Sequence, residues 1–147
     1  MRARPSLPRL IAFAAMLWLC LATPVAWAQL AVIVNPQSGV EQLSKSEVIN
    51  IFLGNHRELP GGLIAKPVDM PTGTVEKTLF YRLLVNKDLD QMAAYWSRLV
   101  FAGSTSPPLQ TARTADVLQY VATNRGGIGY VDRNAVDARV RVVLILQ

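Results

Sequence analysis

Residues 30–34 read LAVIV, an unbroken apolar run rich in β-branched residues. A run this short, apolar at every position, is typical of a strand that is buried in a sheet. Asn35-Pro36 and Ser38-Gly39 follow directly and indicate a turn. The sequence therefore predicts a buried strand at this point, and with it the start of a hydrophobic core.

Helices are predicted on the carboxyl side of this strand by capping signals and apolar periodicity. Ser44 stands three residues before Glu47, which is the spacing of a capping box, and Gly54 ends the apolar pattern that follows. Further helices are predicted after Thr72, over residues 88–101 and after Thr114, with the two threonines as N-caps.

Strands are predicted between these helices, over residues 63–68, 128–131 and 140–146. The helix before the second of these is expected to end at Arg125-Gly126-Gly127, with glycine in a left-handed cap. Gly127 and Gly129 either line a ligand site or permit close packing of the sheet, and we favour packing. Because strands and helices alternate throughout, the predicted fold class is α/β.

The first 28 residues have the three parts of a secretory signal peptide. Arg2, Arg4 and Arg9 form a basic start, the apolar core LIAFAAMLWLCLA covers residues 10–22, and Ala26-Trp27-Ala28 offers a cleavage site. We therefore expect residues 1–28 to be removed and residues 29–147 to form one domain in the periplasm or outside the cell. The alternative is an uncleaved anchor helix, which the short apolar core disfavours because a membrane span needs about 20 residues.

Removal of this segment would change both the cysteine content and the charge. The only cysteine, Cys20, lies within it, so a mature chain has no disulfide or thiol nucleophile. The whole sequence has 15 Lys and Arg against 10 Asp and Glu, and the loss of three arginines leaves 12 against 10. The remaining basic residues are spread singly, which excludes a clustered nucleic-acid-binding face.

The sequence offers no familiar catalytic constellation or metal site. Its single histidine, His56, lies in a polar turn and is interpreted as an exposed loop residue rather than a catalytic base. No acid/base pair or activated nucleophile is present, and no cofactor is implied. The aspartates have no metal-binding spacing and are interpreted as surface or capping groups: Asp69, Asp88, Asp90, Asp116, Asp132 and Asp137.

The segment Thr72-Gly73-Thr74 at the start of a predicted helix has the chemistry of an anion site. Unpaired amides and the helix dipole favour an anion there, glycine allows it to approach the backbone, and hydroxyls can donate to it. The alternative is that Thr72 only caps the helix.

Three motifs resemble the phosphate-binding proteins of ABC transporters, which are type II periplasmic binding proteins. Residues 43–54 (LSKSEVINIFLG) look like the family's helix before an "IF.G" turn, Thr72-Gly73-Thr74 is similar to its "SGT" phosphate loop, and residues 126–131 (GGIGYV) resemble its "GAIGYV" strand. The motifs occur in the family's order and at comparable spacing. The resemblance implies a three-layer αβα lobe with a mixed sheet flanked by helices.

The resemblance covers only the second of the family's two lobes. It assigns ligand contacts to Thr72, Gly73 and Thr74, while Val68 stands where the family has an arginine. Pro71 likewise replaces a glycine, and Lys66 or Arg82 could supply the missing charge without matching by position.

Two functional hypotheses follow from the resemblance. The first is a non-enzymatic, exported module that binds phosphate or another small oxyanion for uptake or sensing. The second is an interaction or regulatory module for a membrane transporter or sensor, which has lost ligand binding.

Overall fold

The computed structural model describes residues 29–147. The predicted signal peptide, residues 1–28, lies outside the described residues, so its cleavage stays a prediction. Within the described range, no helix combines the length and the apolar character needed to cross a bilayer.

The described residues form a mixed five-stranded sheet. Its strands are β1 (Leu30–Val34), β2 (Lys66–Asp69), β3 (Leu109–Gln110), β4 (Gly127–Asp132) and β5 (Arg141–Leu146). They lie in the order β3-β2-β4-β1-β5. Strand β1 is antiparallel to both β4 and β5, whereas β2 is parallel to β3 and β4.

Helices connect these strands as the sequence predicts. They are α1 (Lys45–Phe52), α2 (Val75–Val85), α3 (Leu89–Phe101) and α4 (Thr114–Thr123), and short 3-10 segments cover Pro36–Ser38 and Arg133–Ala135. The predicted capping box is present on α1: the Glu47 amide donates to Ser44 Oγ at 3.2 Å, and the Ser44 amide donates to the Glu47 carboxylate at 2.7 Å. The α/β fold class is confirmed.

Two predicted N-caps are wrong by one or two residues. Thr74, not Thr72, caps α2, because its hydroxyl accepts from the Lys77 amide. Helix α4 follows Arg113, which makes no capping hydrogen bond through its side chain, and Thr114 is the first helical residue.

The end of α4 and the edges of the sheet also differ from expectation. Helix α4 ends at Asn124 in an extended conformation, so glycine makes no left-handed cap there. Strand β2 begins at Lys66 because Ile64 pairs with Glu58 in an isolated bridge across a tight turn. The two-residue strand β3 was not predicted, since its parallel pairing with β2 is set by tertiary structure.

The sheet is covered on both faces, which gives three layers. Alternate residues of a strand face opposite sides. On β4, a Cβ atom at Gly129 would lie 2.9 Å from a methyl group of Val117 on α4. The next residue, Tyr130, faces the other side and stacks on Phe80 of α2, with ring centroids 3.7 Å apart. The glycines of this strand therefore permit close packing of α4, as favoured above.

Strand β1 lies inside the core, with each of its five residues at most 1% exposed. The buried Asn35 ends it. The Asn35 side-chain amide donates to the carbonyls of Val121 at 3.0 Å and Ala122 at 2.8 Å, and its oxygen accepts from the Gln37 amide at 2.8 Å. One side chain thus joins the first turn of the described chain to the last turn of α4.

Candidate functional site

The loop between β2 and α2 contains the predicted anion-binding residues. Gly73 has φ +90°, a left-handed conformation that glycine adopts without strain, and nothing lies within 4 Å of the place a Cβ atom would take. The amides of Gly73, Val75 and Glu76 have no hydrogen-bond partner among the described residues. The loop therefore presents free donors at the positive end of the α2 dipole.

Thr74 contributes mainly to the structure of this loop. Its hydroxyl donates to the Pro71 carbonyl at 2.9 Å and accepts from the Lys77 amide at 3.4 Å. Its own amide also donates to Pro71, at 3.3 Å. Since the hydroxyl proton is already used, Thr74 could donate to an anion only by giving up the bond to Pro71.

The three predicted residues face two different surfaces. Thr72 is exposed, accepts a hydrogen bond from Gln110 Nε2 at 2.9 Å, and lines a cleft of about 440 Å³. Gly73 and Thr74 line a separate, shallow depression of about 320 Å³ beside the amino end of α2. The structure therefore brings Gly73 and Thr74 together and turns Thr72 toward Gln110.

The structure also places Val68, which stands where the family has an arginine, and the two residues that could supply the missing charge, Lys66 and Arg82. Val68 is fully buried, and its methyl group lies 2.9 Å from where a Cβ atom of Gly129 would be. Arg82 lines the same depression as Gly73 and Thr74, whereas Lys66 lines a different cleft. Of the two candidates, Arg82 is thus the cation near the loop.

Asp69, interpreted from the sequence as a surface or capping group, is instead buried at the end of β2, 5% exposed. Tyr81 donates to one carboxylate oxygen at 3.0 Å, and Tyr130 donates to the other. The Met70 amide donates at 2.9 Å, and Lys77 Nζ lies 3.1 Å from the carboxylate. The surface interpretation was wrong because these donors come from a neighbouring residue, from α2 and from β4.

Burial determines the protonation state of the two tyrosines in this cluster. Desolvation, with the nearby Asp69 charge, raises the pKa of both Tyr81 and Tyr130 well above the ordinary value, so both remain protonated donors. Lys77 balances the carboxylate charge. The cluster is a neutral, hydrogen-bonded unit that positions α2 against the sheet, and it leaves Lys77 committed to Asp69.

The sequence contains a pattern that indicates part of this cluster, but only the part formed by residues close together in the chain. Lys77 and Tyr81 are four residues apart on α2 and so lie on one helix face. Asp69 directly follows the apolar end of β2, before the loop that leads into that helix. The third donor, Tyr130, is 61 residues away in sequence, and its contribution depends on the sheet order.

The remaining predicted residues lie where the sequence indicated. His56 is exposed in the turn after α1. Asp88 caps α3 and Asp132 caps a 3-10 segment, while Asp116 and Asp137 pair with neighbouring arginines at the surface. Asp90 is exposed. Among the residues at 29–147, no three His, Cys, Asp or Glu side chains come together as a metal site.

Comparison with known proteins found similarity at the level of structure. No model of a known protein family matches the sequence, and no curated protein matches it. A phosphate ABC transporter substrate-binding protein from Clostridium perfringens, solved with bound phosphate, is 18% identical, with a TM-score of 0.64, and 79% of this chain matches 45% of that chain.

Two other solved structures agree. An ABC-type phosphate transport receptor from Vibrio cholerae is 17% identical with a TM-score of 0.62, and 79% of this chain matches 46% of it. PstS from Borrelia burgdorferi is 11% identical with a TM-score of 0.59, and 79% of this chain matches 47% of it. The chain therefore spans less than half the length of these neighbours, and it has the α/β fold of phosphate ABC transporter substrate-binding proteins over an extent that matches a single lobe.

Proposed function

We propose that the chain is a non-enzymatic, exported module that binds a small oxyanion, phosphate first, at the amino end of α2. The observation that carries this proposal is that Gly73, whose amide has no hydrogen-bond partner among the described residues, lines the same depression as Thr74 and as Arg82 from the last turn of α2. Amides at a helix amino terminus are suited to tetrahedral oxyanions, and a guanidinium adds planar donors and a full charge.

The same geometry predicts weak binding. The depression is open to water, where charge interactions are screened. Glu76 places a carboxylate in the first turn of α2, and Lys77 is already paired with Asp69. Gly73 and Arg82 supply the contacts, with Thr74 shaping the loop and Thr72 at its outer edge. We expect saturation only at high phosphate concentration.

The test is calorimetric titration of phosphate, sulfate and acetate into protein produced from the full 147-residue sequence. We expect phosphate to bind and to raise the melting temperature, as any ligand of the native state does. Arg82→Gln should weaken phosphate binding, and Arg98→Gln, which changes an exposed arginine in the last turn of α3, should not. Absence of phosphate binding, or equal affinity in the Arg82→Gln protein, would overturn the proposal.

A second candidate is an interaction module for a membrane transporter or sensor. It is favoured by Phe101 and Val100 at the end of α3, which are 97% and 54% exposed. Adjacent exposed apolar side chains are typical of protein contact sites. A photo-crosslinker at position 101 should capture a membrane protein in intact cells, whereas one at the exposed Ala138 should not. Equal labelling from both positions, or none, would count against this function.

A further inference from the structure

A second cleft, of about 400 Å³, includes none of residues 72–74, and it shares Trp96, Pro107 and Pro108 with the cleft that Thr72 lines. It is lined by His56 and Arg57, by residues 64–67, by Trp96, by residues 105–109 and by Tyr120. We name it the basic cleft. Its volume is within the range of small-molecule sites in proteins.

Direct contacts join the segments that form the basic cleft. The Arg57 guanidinium donates to the Thr105 hydroxyl across the cleft. Gly54 also lies close to Thr105: a Cβ atom added to Gly54 would be 2.9 Å from Thr105 Oγ1. The Tyr95 hydroxyl of α3 donates to the Leu53 carbonyl at 2.8 Å. The cleft is therefore formed before a ligand arrives, which lowers the cost of binding.

The charge of the basic cleft has one sign. Arg57 and Lys66 line it, and no Asp or Glu does. Neither Arg57 nor Lys66 makes an ion pair within the described range, and Arg57 uses only one of its donors on Thr105. The nearest acid in sequence, Glu58, lines the neighbouring depression instead. These cations are available to a carboxylate.

Apart from Thr105 and Ser106, the rest of the lining is mainly apolar. Ile64 and Leu109 are 66% and 54% exposed, and the Trp96 and Tyr120 side chains, which also line the cleft, are half-buried. Covering this surface would remove apolar area from water, and the rings favour stacking on another ring. We propose that the basic cleft binds a small aromatic carboxylate, with its ring on the apolar walls and its carboxylate on Lys66 and Arg57.

The probe is sodium benzoate, titrated by calorimetry into protein made from the full sequence. Benzoate should bind saturably, and Lys66→Gln should weaken it by about tenfold through loss of a charge-assisted contact. Lys45→Gln, at an exposed lysine on α1, is the matched control and should leave affinity unchanged. Benzyl alcohol has the ring without the charge and should bind at least about tenfold more weakly than benzoate.

The outcomes separate this site from the loop at residues 72–74. Arg82→Gln should leave benzoate affinity unchanged, and saturating benzoate should leave phosphate affinity unchanged. Failure of phosphate to bind would therefore not affect this proposal. It is overturned if benzoate does not saturate, if Lys66→Gln and wild-type proteins bind it equally, or if benzyl alcohol binds as tightly as benzoate.

Discussion

Asp69 joins three parts of the chain through one carboxylate. It accepts from the backbone beside it, from Tyr81 on α2 and from Tyr130 on β4, and it pairs with Lys77. Lone pairs of a buried carboxylate must be satisfied, and here protein groups supply the donors. The cluster thereby fixes the angle at which the loop containing Gly73 leaves the sheet.

Asp69→Asn should lower the free energy of unfolding by about 3 kcal/mol, because it leaves Lys77, whose side chain is only 13% exposed, without its counter-charge. The measurement is urea unfolding followed by circular dichroism. Asp116→Asn is the control, since that carboxylate pairs with Arg113 at the surface, and it should leave the unfolding midpoint almost unchanged. Similar midpoints for the two variants would contradict a stabilising role for the cluster.

The two buried tyrosines should make stability fall in alkaline solution. Their pKa values are raised in the folded state by burial and by Asp69, while in the unfolded chain tyrosine ionises near a pKa of about 10. Because the folded pKa is the higher, the stability they contribute is complete below about pH 10 and decreases as the pH rises above it.

Absorbance at 295 nm across pH 9 to 12, alongside circular dichroism, measures this effect. Tyr81 and Tyr130 should ionise only as the protein unfolds. Ionisation of all four tyrosines near pH 10 in a protein that keeps its native circular dichroism would disprove the burial of both side chains.

Residue-level prediction from the sequence was correct where the signal was local. His56 lies in a polar turn, and Asp88 forms a capping box with Gln91, three residues away. Neighbouring residues in the sequence therefore determine the surroundings of both side chains. Asp69 was misread because its role depends on Tyr130, which only the folded sheet brings near. Thr72 and Thr74 have the same chemistry, and only the hydroxyl of Thr74 accepts from the Lys77 amide and so caps α2.

At the level of the element, α1 owes its sharp start to Ser44 and Glu47. The Ser44 hydroxyl and amide both donate to the Glu47 carboxylate, and these bonds lower the Glu47 pKa. A lowered folded pKa means that this contribution to stability is present above the unfolded pKa of about 4.3 and is lost as the pH falls through the folded pKa.

Ser44→Ala should destabilise the protein by about 1 kcal/mol near neutral pH, through loss of the N-cap. It should also reduce the decrease in stability on acidification below about pH 4.3, because Glu47 loses the hydroxyl bond that lowers its pKa most, while the bond from the backbone amide remains. Thermal unfolding at pH 7 and pH 3.5 measures both effects. Ser97→Ala, at an exposed position of α3, is the control; a Ser44→Ala protein with the same acid sensitivity as the Ser97→Ala protein would refute the explanation.

Helices were predicted better than strand edges for a physical reason. The capping boxes of α1 and α3 and their apolar periodicity lie within single segments of the chain. Strand β3 is only two residues long and exists because β2 is beside it, so no local pattern marks it. Free amides at the start of α2 were anticipated from the sequence, whereas the basic cleft was not, because it is assembled from five separate segments.

At the level of the whole molecule, the export segment gives the simplest prediction. If the predicted signal peptide is cleaved on export, mass spectrometry of protein recovered from the periplasmic fraction should find Gln29 as the first residue and no thiol, since Cys20 lies before the expected cleavage site. Ala28→Arg should block cleavage and retain the longer chain in the membrane fraction. Recovery of a chain that still contains Cys20 from the wild-type gene would contradict a cleaved signal peptide.

The position of β1 in the sheet also affects when its strand pairing can form during synthesis. Leu30–Val34 pairs only with Gly127–Asp132 and Arg141–Leu146, about a hundred residues later in synthesis. Contacts so distant in sequence form slowly and late. A nascent chain that lacks its last twenty or so residues has neither of the strands that pair with β1, so we expect its sheet to be incomplete. In the exported module proposed above, this late pairing would leave the sheet unformed while the chain passes through a secretion channel.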